Sequence, residues 1–128
     1  MGRIVLVADD DPGTLDGLRA LLTGWGYEVV PAADGRAALE KTIAVHPSAV
    51  ITDVMMPVMN GLELLDALRV VRHAPPVIVL TAYGSLDNLL IATAEGAFAY
   101  LVKPVDVAKL KAVLASATRE ATWETTAS

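Results

Sequence analysis

The feature that most constrains this chain is an alternation: five short β-branched apolar runs, each followed by a longer stretch whose apolar residues recur three or four positions apart. The runs cover residues 3–8, 28–32, 49–52, 77–81 and 100–102 and have the length and composition of strands. The longer stretches, at about 12–23, 35–45, 61–71, 86–95 and 106–117, predict helices. Leu15, Leu18 and Leu22 mark the inner face of the first, and Leu110, Val113, Leu114 and Ala117 that of the last. Strands joined by helices pair in parallel, and right-handed crossovers send the helices to both faces of the sheet. The expected fold class is α/β, a five-stranded parallel sheet doubly wound as (βα)5 into a three-layer sandwich.

Turn chemistry supports the same boundaries. Gly24-Trp25-Gly26 closes the first helix, Asp34-Gly35 opens the second, and Pro75-Pro76 separates the third helix from the fourth strand. The 128 residues fit a single domain, expected over residues 1–117. Residues 118–128 are polar and weakly periodic, and read as either a helix end or a C-terminal tail or linker.

Composition narrows the function. With 54% hydrophobic residues there is ample material for a core, yet each apolar run is far shorter than the roughly 18 to 20 residues of a membrane span. No membrane association is expected. The first residues, Met1-Gly2-Arg3, run straight into a strand and do not read as a secretory leader, so the expected location is cytoplasmic. The absence of cysteine removes disulfides, thiolate metal sites and thiol nucleophiles. A net charge of -5 argues against direct contact with nucleic acid.

In an open parallel sheet, ligands bind beyond the carboxyl ends of the strands. There this chain carries Asp9-Asp10-Asp11 after the first strand, Asp53 after the third, Thr81-Ala82 at the fourth and Lys103-Pro104 after the fifth. Converging carboxylates repel one another unless a cation neutralises them, and hard oxygen ligands suit Mg²⁺. A carboxylate in such a pocket can attack phosphorus, with metal and lysine neutralising the equatorial oxygens, and Asp53 is the best-placed nucleophile. Asp11, followed by Pro12, reads as the N-cap of the first helix rather than a ligand. His46 and His73 lie beside prolines near helix ends and receive no catalytic role.

Four segments, residues 5–11, 51–61, 80–82 and 100–104, together resemble the receiver domain of two-component response regulators. The resemblance covers about residues 3–117 and implies a flavodoxin-like sheet of order 2-1-3-4-5. It implies that Asp53 accepts a phosphoryl group from a histidine kinase or phosphotransfer protein. Mg²⁺ would be held by Asp9, Asp10, Asp53 and the main-chain carbonyl of Met55, and Lys103 would pair with the phosphoryl oxygens. Thr81 would donate its hydroxyl to that group, Ala82 would leave room for a main-chain N–H, and Tyr100 would turn inward as Thr81 moves. Pro104 would follow a cis bond that aims Lys103, and Gly61 would sit at the tight start of the third helix. The domain would be no conventional enzyme but a phosphoacceptor that promotes its own phosphotransfer and dephosphorylation. Its state would be relayed through the face of the fourth helix, fifth strand and fifth helix to an unknown output, and the resemblance also allows a homodimer.

Two residues depart from or extend the family pattern. Ala8 stands where a larger β-branched residue is usual, and Asp11 makes the acidic pair a run of three. Met55 and Tyr83 are expected to flank the acceptor, where their bulk would slow hydrolysis of the acyl phosphate. Three other readings compete. A phosphohydrolase with an aspartyl intermediate would need its nucleophile in the first strand and a Thr or Val where Gly13 stands. A flavin carrier would need a phosphate-binding loop where the three aspartates lie. A receiver-like module that binds partners without phosphorylation has the same residues and is separated only by experiment.

Overall fold

The computed structural model describes residues 3–82 and 84–127, with side chains up to residue 119. Its elements alternate as expected: β1 (Ile4–Ala8), α1 (Pro12–Gly24), β2 (Glu28–Ala32), α2 (Gly35–Val45), β3 (Ala49–Thr52), α3 (Gly61–Leu68), β4 (Val77–Thr81), α4 (Leu86–Ala94), β5 (Ala99–Val102) and α5 (Val107–Ala127). The strands form one parallel sheet in the order β2-β1-β3-β4-β5, the expected topology.

Side-chain alternation along the inner strands explains the three layers. Val5 and Val7 of β1, Ile51 of β3, and Ile78 and Leu80 of β4 pack with Leu18 and Leu22 of α1 and Leu110, Leu114 and Ala117 of α5. Leu6 and Ala8, Val50, and Val77 and Val79 face the other way, onto Ala38 of α2, Leu64, Leu65 and Leu68 of α3 and Ala92 of α4. Each fully buried Leu or Ile contributes roughly 1.5–3 kcal/mol relative to an exposed one. The two apolar layers therefore clamp β1, β3 and β4, whose carboxyl ends carry Asp9, Asp53 and Thr81.

Helix starts follow from capping side chains. Asp11 accepts from the Thr14 N–H at 3.0 Å, Asp34 from Ala37 at 2.8 Å and Ser85 from Asn88 at 3.0 Å. Asn60 and Glu63 form a reciprocal capping box at α3. Asp11 thus has the capping role expected of it. Its side-chain and backbone hydrogen bonds with Thr14 hold its carboxyl below the usual range, so the contribution is present above that range and lost as pH falls through the lowered value.

Two helices differ from expectation. The third ends at Leu68 rather than at residue 71, because the chain tightens there: Arg69 N–H donates to the Asp66 carbonyl and Val71 N–H to Leu68. The β-branched pair Val70-Val71 adds little reason to continue. The fifth helix runs on to Ala127 instead of stopping near 117. Thr118, polar in sequence, is fully buried and returns its hydroxyl to the Leu114 carbonyl at 2.9 Å, so it costs the helix no unsatisfied group. The backbone of residues 118–127 is helical.

Candidate functional site

The residues at the carboxyl ends of the strands are carried on backbone that is still laddered. Asp9 N–H donates to Ala32 at 3.0 Å, Asp53 N–H to Ala8 at 2.9 Å and Lys103 N–H to Thr81 at 2.8 Å. Asp9, Asp53 and Lys103 are thus each one step beyond a strand and inherit its rigidity.

Asp9, Asp10 and Asp53 each offer a carboxylate oxygen within 4.8 Å of the others. Asp9 and Asp53 are nearly buried, 2% and 8% exposed, whereas Asp10 faces solvent. Asp53 Oδ1 accepts from the Val54 N–H at 2.7 Å and the Met55 N–H at 3.4 Å. Its Oδ2 lies 3.4 Å from Lys103 Nζ, which also donates to Asp9 Oδ2 at 2.9 Å. Burial pulls the Lys103 ammonium toward neutrality, but its hydrogen bond to Asp9 and the charges of Asp53 and Asp9 outweigh that and hold its pKa above the ordinary lysine value. One ammonium against three close carboxylates leaves a net negative pocket of oxygen donors. That donor set and spacing fit a hard divalent cation such as Mg²⁺.

Met55, Thr81, Ala82, Tyr100 and Pro104 lie on or just after β3, β4 and β5. Thr81 is fully buried at the end of β4, and Ala82 beside it is exposed. The Lys103–Pro104 bond is cis. Met55 is 54% exposed at the start of the loop after Asp53, while Tyr83 lies outside the described residues. Tyr100 packs against the layer formed by α2, α3 and α4, and its hydroxyl is buried with no hydrogen-bond partner among the described residues. A buried hydroxyl left unpaired carries a desolvation penalty of about 1–3 kcal/mol. Tyr100→Phe is therefore expected to raise stability by about 1 kcal/mol, read as a higher denaturant midpoint at unchanged slope. An equal or lower midpoint would show that the hydroxyl is satisfied.

Gly61 is required sterically. A Cβ there would lie 2.0 Å from the Asp53 carbonyl oxygen and 2.8 Å from its carbon, both backbone atoms, while the Gly61 N–H donates to Val54 at 2.9 Å. Gly61→Ala is expected to destabilise by about 2–3 kcal/mol, as overpacking against immobile atoms does. Gly17→Ala is the control: beyond its chain neighbours and the backbone of α1 itself, no atom lies within 4 Å of the added methyl, and a gain of up to about 1 kcal/mol is expected. Equilibrium unfolding of the two variants checks both signs.

Sequence reading misses two parts of the site. The Thr52 hydroxyl donates to the Asp53 carbonyl at 2.9 Å, and Gly35 on α2 touches the loop after Asp53. Thr52 directly precedes Asp53 in the sequence, whereas the Gly35 contact joins distant parts of the chain and leaves no local signal. A cavity of about 610 Å³ lies at the opposite end of the sheet, near Pro75, Pro76 and the Arg69–Glu95 ion pair, away from the carboxylate cluster.

The family model for the response regulator receiver domain matches residues 5–115. The chain belongs to that family. This receiver is 41% identical over 113 residues to the transcriptional regulatory protein ZraR of Escherichia coli strain K12, a match covering 88% of the chain and 26% of ZraR. The chain thus spans about a quarter of that relative. Among solved structures it is similar to a CheY-like receiver domain from Methanospirillum hungatei, with TM-score 0.91 and 31% identity over 97% of this chain and 99% of that one. It is also similar to a chain of the CheX–CheY–BeF₃–Mg²⁺ complex from Borrelia burgdorferi, with TM-score 0.83 and 29% identity over 89% and 87% of the two chains. The receiver family is one of phosphoacceptor domains in two-component signalling, and no described helix of this member is long and apolar enough to cross a membrane.

Proposed function

We propose that this receiver takes a phosphoryl group onto Asp53 from a histidine kinase or phosphotransfer protein in the cytoplasm. The observation that carries the reading is the convergence of Asp9, Asp10, Asp53 and Lys103 from three strand ends into one charged pocket. In the transfer, an Asp53 carboxylate oxygen forms a bond to phosphorus as the donor's nitrogen–phosphorus bond breaks. The electron pair stays on the imidazole, and an acyl phosphate results. The two backbone N–H groups on Oδ1 hold the carboxylate in one orientation, and Lys103 neutralises charge gathering on the phosphoryl oxygens. Asp9, Asp10, Asp53 and the Met55 carbonyl would hold Mg²⁺, which supplies further charge neutralisation when bound; the Borrelia relative occurs with BeF₃ and Mg²⁺. Thr81 would meet the phosphoryl group with its hydroxyl, and the same pocket would promote hydrolysis of the acyl phosphate.

The state change would be read on the face of α4, β5 and α5. Leu86 is 69% exposed there and Leu90 58%, with Val102 and Val107 also open to solvent, an apolar surface on which a partner can act. Phosphorylation would shift a two-state equilibrium of Thr81 and Tyr100 and so reshape that face.

The test is intact mass after incubation with a small phosphodonor, acetyl phosphate or phosphoramidate, with Mg²⁺ and with EDTA. A single phosphoryl adduct that needs the metal is expected. No adduct on the folded protein would overturn the reading in favour of a phosphorylation-independent binding module, and turnover of an external phosphate ester would favour a phosphohydrolase.

A further inference from the structure

The loop between Asp53 and α3 is held in a costly shape by an element with no residue in the acceptor pocket. The Met59 N–H donates to the Pro57 carbonyl at 2.7 Å across Val58, whose φ is +70°. A bond from one residue to the second before it, spanning a positive φ, marks the rare and strained form of γ-turn. Val58 is a β-branched residue, 74% exposed, so no core packing compensates for placing it in the left-handed region. Something else must hold the turn closed.

That support comes from the first turn of α2. The Gly35 N–H donates to the Met59 carbonyl at 3.0 Å, and a Cβ on Gly35 would lie 2.1 Å from the same oxygen and 2.8 Å from its carbon. Gly35 is buried, does not have a positive φ, and sits just after the N-cap Asp34. Its glycine identity is therefore required by close approach of two backbones, not by its own dihedral angles. The other end of the loop is pinned by Gly61 against Val54 and Asp53. The segment so clamped includes Val54 and Met55, whose N–H groups orient the acceptor carboxylate, and the Met55 carbonyl assigned to the cation.

We infer that Gly35 is a positioning residue for the acceptor site: its contact with Met59 keeps the strained loop closed, and the loop sets the cation-binding geometry at Asp53 and Met55. The inference rests on the proposed metal site. An added methyl pushes the Met59 carbonyl outward and lets the loop relax away from the pocket. Groups that orient metal ligands typically alter metal affinity 10–100-fold when changed, and at least about 10-fold weaker Mg²⁺ binding is expected for Gly35→Ala.

The experiment titrates Mg²⁺ into wild type, Gly35→Ala, Val58→Gly and the double variant, following amide NMR shifts without any phosphodonor, with equilibrium unfolding on the same samples. Val58→Gly removes the strain but leaves the clamp, so higher stability and Mg²⁺ affinity within about 2-fold of wild type are expected. In the double variant the relaxed loop is expected to recover stability but not affinity. That split separates positioning from a structural role. The inference is overturned if folded Gly35→Ala binds Mg²⁺ within 2-fold of wild type, or if Val58→Gly restores stability and affinity together. Should neither the Gly35→Ala variant nor the double variant fold, Asp34→Ala frays the same turn without adding an atom at the contact. Weaker Mg²⁺ binding then supports the clamp, and unchanged binding overturns it. A wild type that binds no Mg²⁺ would overturn the proposed metal site and the inference with it, whereas normal wild-type binding beside an unaffected Gly35→Ala overturns the inference alone.

Discussion

Asp53→Asn is expected to abolish the metal-dependent phosphoryl adduct while leaving the fold intact. Asparagine has the size and shape of aspartate, and its Oδ1 can keep the hydrogen bond from the Val54 N–H, 2.7 Å long in the native site. What it loses is the second anionic oxygen, the one facing Lys103 at 3.4 Å. An amide has no comparable nucleophile toward phosphorus, so loss below detection is expected rather than a partial slowing. The variant also removes one of three clustered carboxylates, so Mg²⁺ binding weakens as well. Intact mass with a small phosphodonor checks the first effect, and matched amide spectra of the two proteins check that the fold survives. A metal-dependent adduct persisting on Asp53→Asn would place the acceptor elsewhere.

Lys103→Met should slow phosphorylation by about 10²–10³-fold, the usual loss when one charge-stabilising donor is removed. Methionine keeps the apolar stem and deletes the cation that lies within 2.9 Å of Asp9 and 3.4 Å of Asp53. Breaking a fully buried ion pair costs about 3–5 kcal/mol. Here the lysine side chain is 21% exposed and solvent screens part of the loss, so about 1–3 kcal/mol is expected near neutral pH.

The folded-state pKa of Lys103 is raised, so its contribution is complete below the ordinary lysine range and disappears as pH climbs through the raised value. Wild type and variant should therefore converge in stability at strongly alkaline pH. Because a divalent cation can substitute for the missing charge, Mg²⁺ should raise the variant's denaturant midpoint more than that of wild type. Equal midpoints for the two proteins near neutral pH would show that the pair contributes nothing to the fold.

How much of this is legible in the sequence can be judged residue by residue. The bounds of β2, β3, β4 and α2 coincide with the sequence expectation, because short apolar runs flanked by Asp, Gly and Pro specify both the element and its limits. Asp11 is recognisable as a cap from the proline that follows it, and the pocket residues from their places after strands. Differences fall where a local rule is overruled by neighbours. Thr118 reads as polar yet is buried with its hydroxyl satisfied inside α5, and α3 tightens at Arg69, whose side chain reaches Glu95 just beyond α4 at 2.9 Å.

The order and kind of the elements, and the identity of the groups at the strand ends, are written locally in the chain, because periodicity and capping are encoded within a few residues. Which groups meet, and at what distance, depends on how the layers pack. That packing brought Lys103 between Asp9 and Asp53, left the Tyr100 hydroxyl buried without a partner among the described residues, and pressed Gly35 against the backbone of Met59. Such contacts join residues up to 94 positions apart and depend on sheet register and helix packing, which arise when the apolar layers close together.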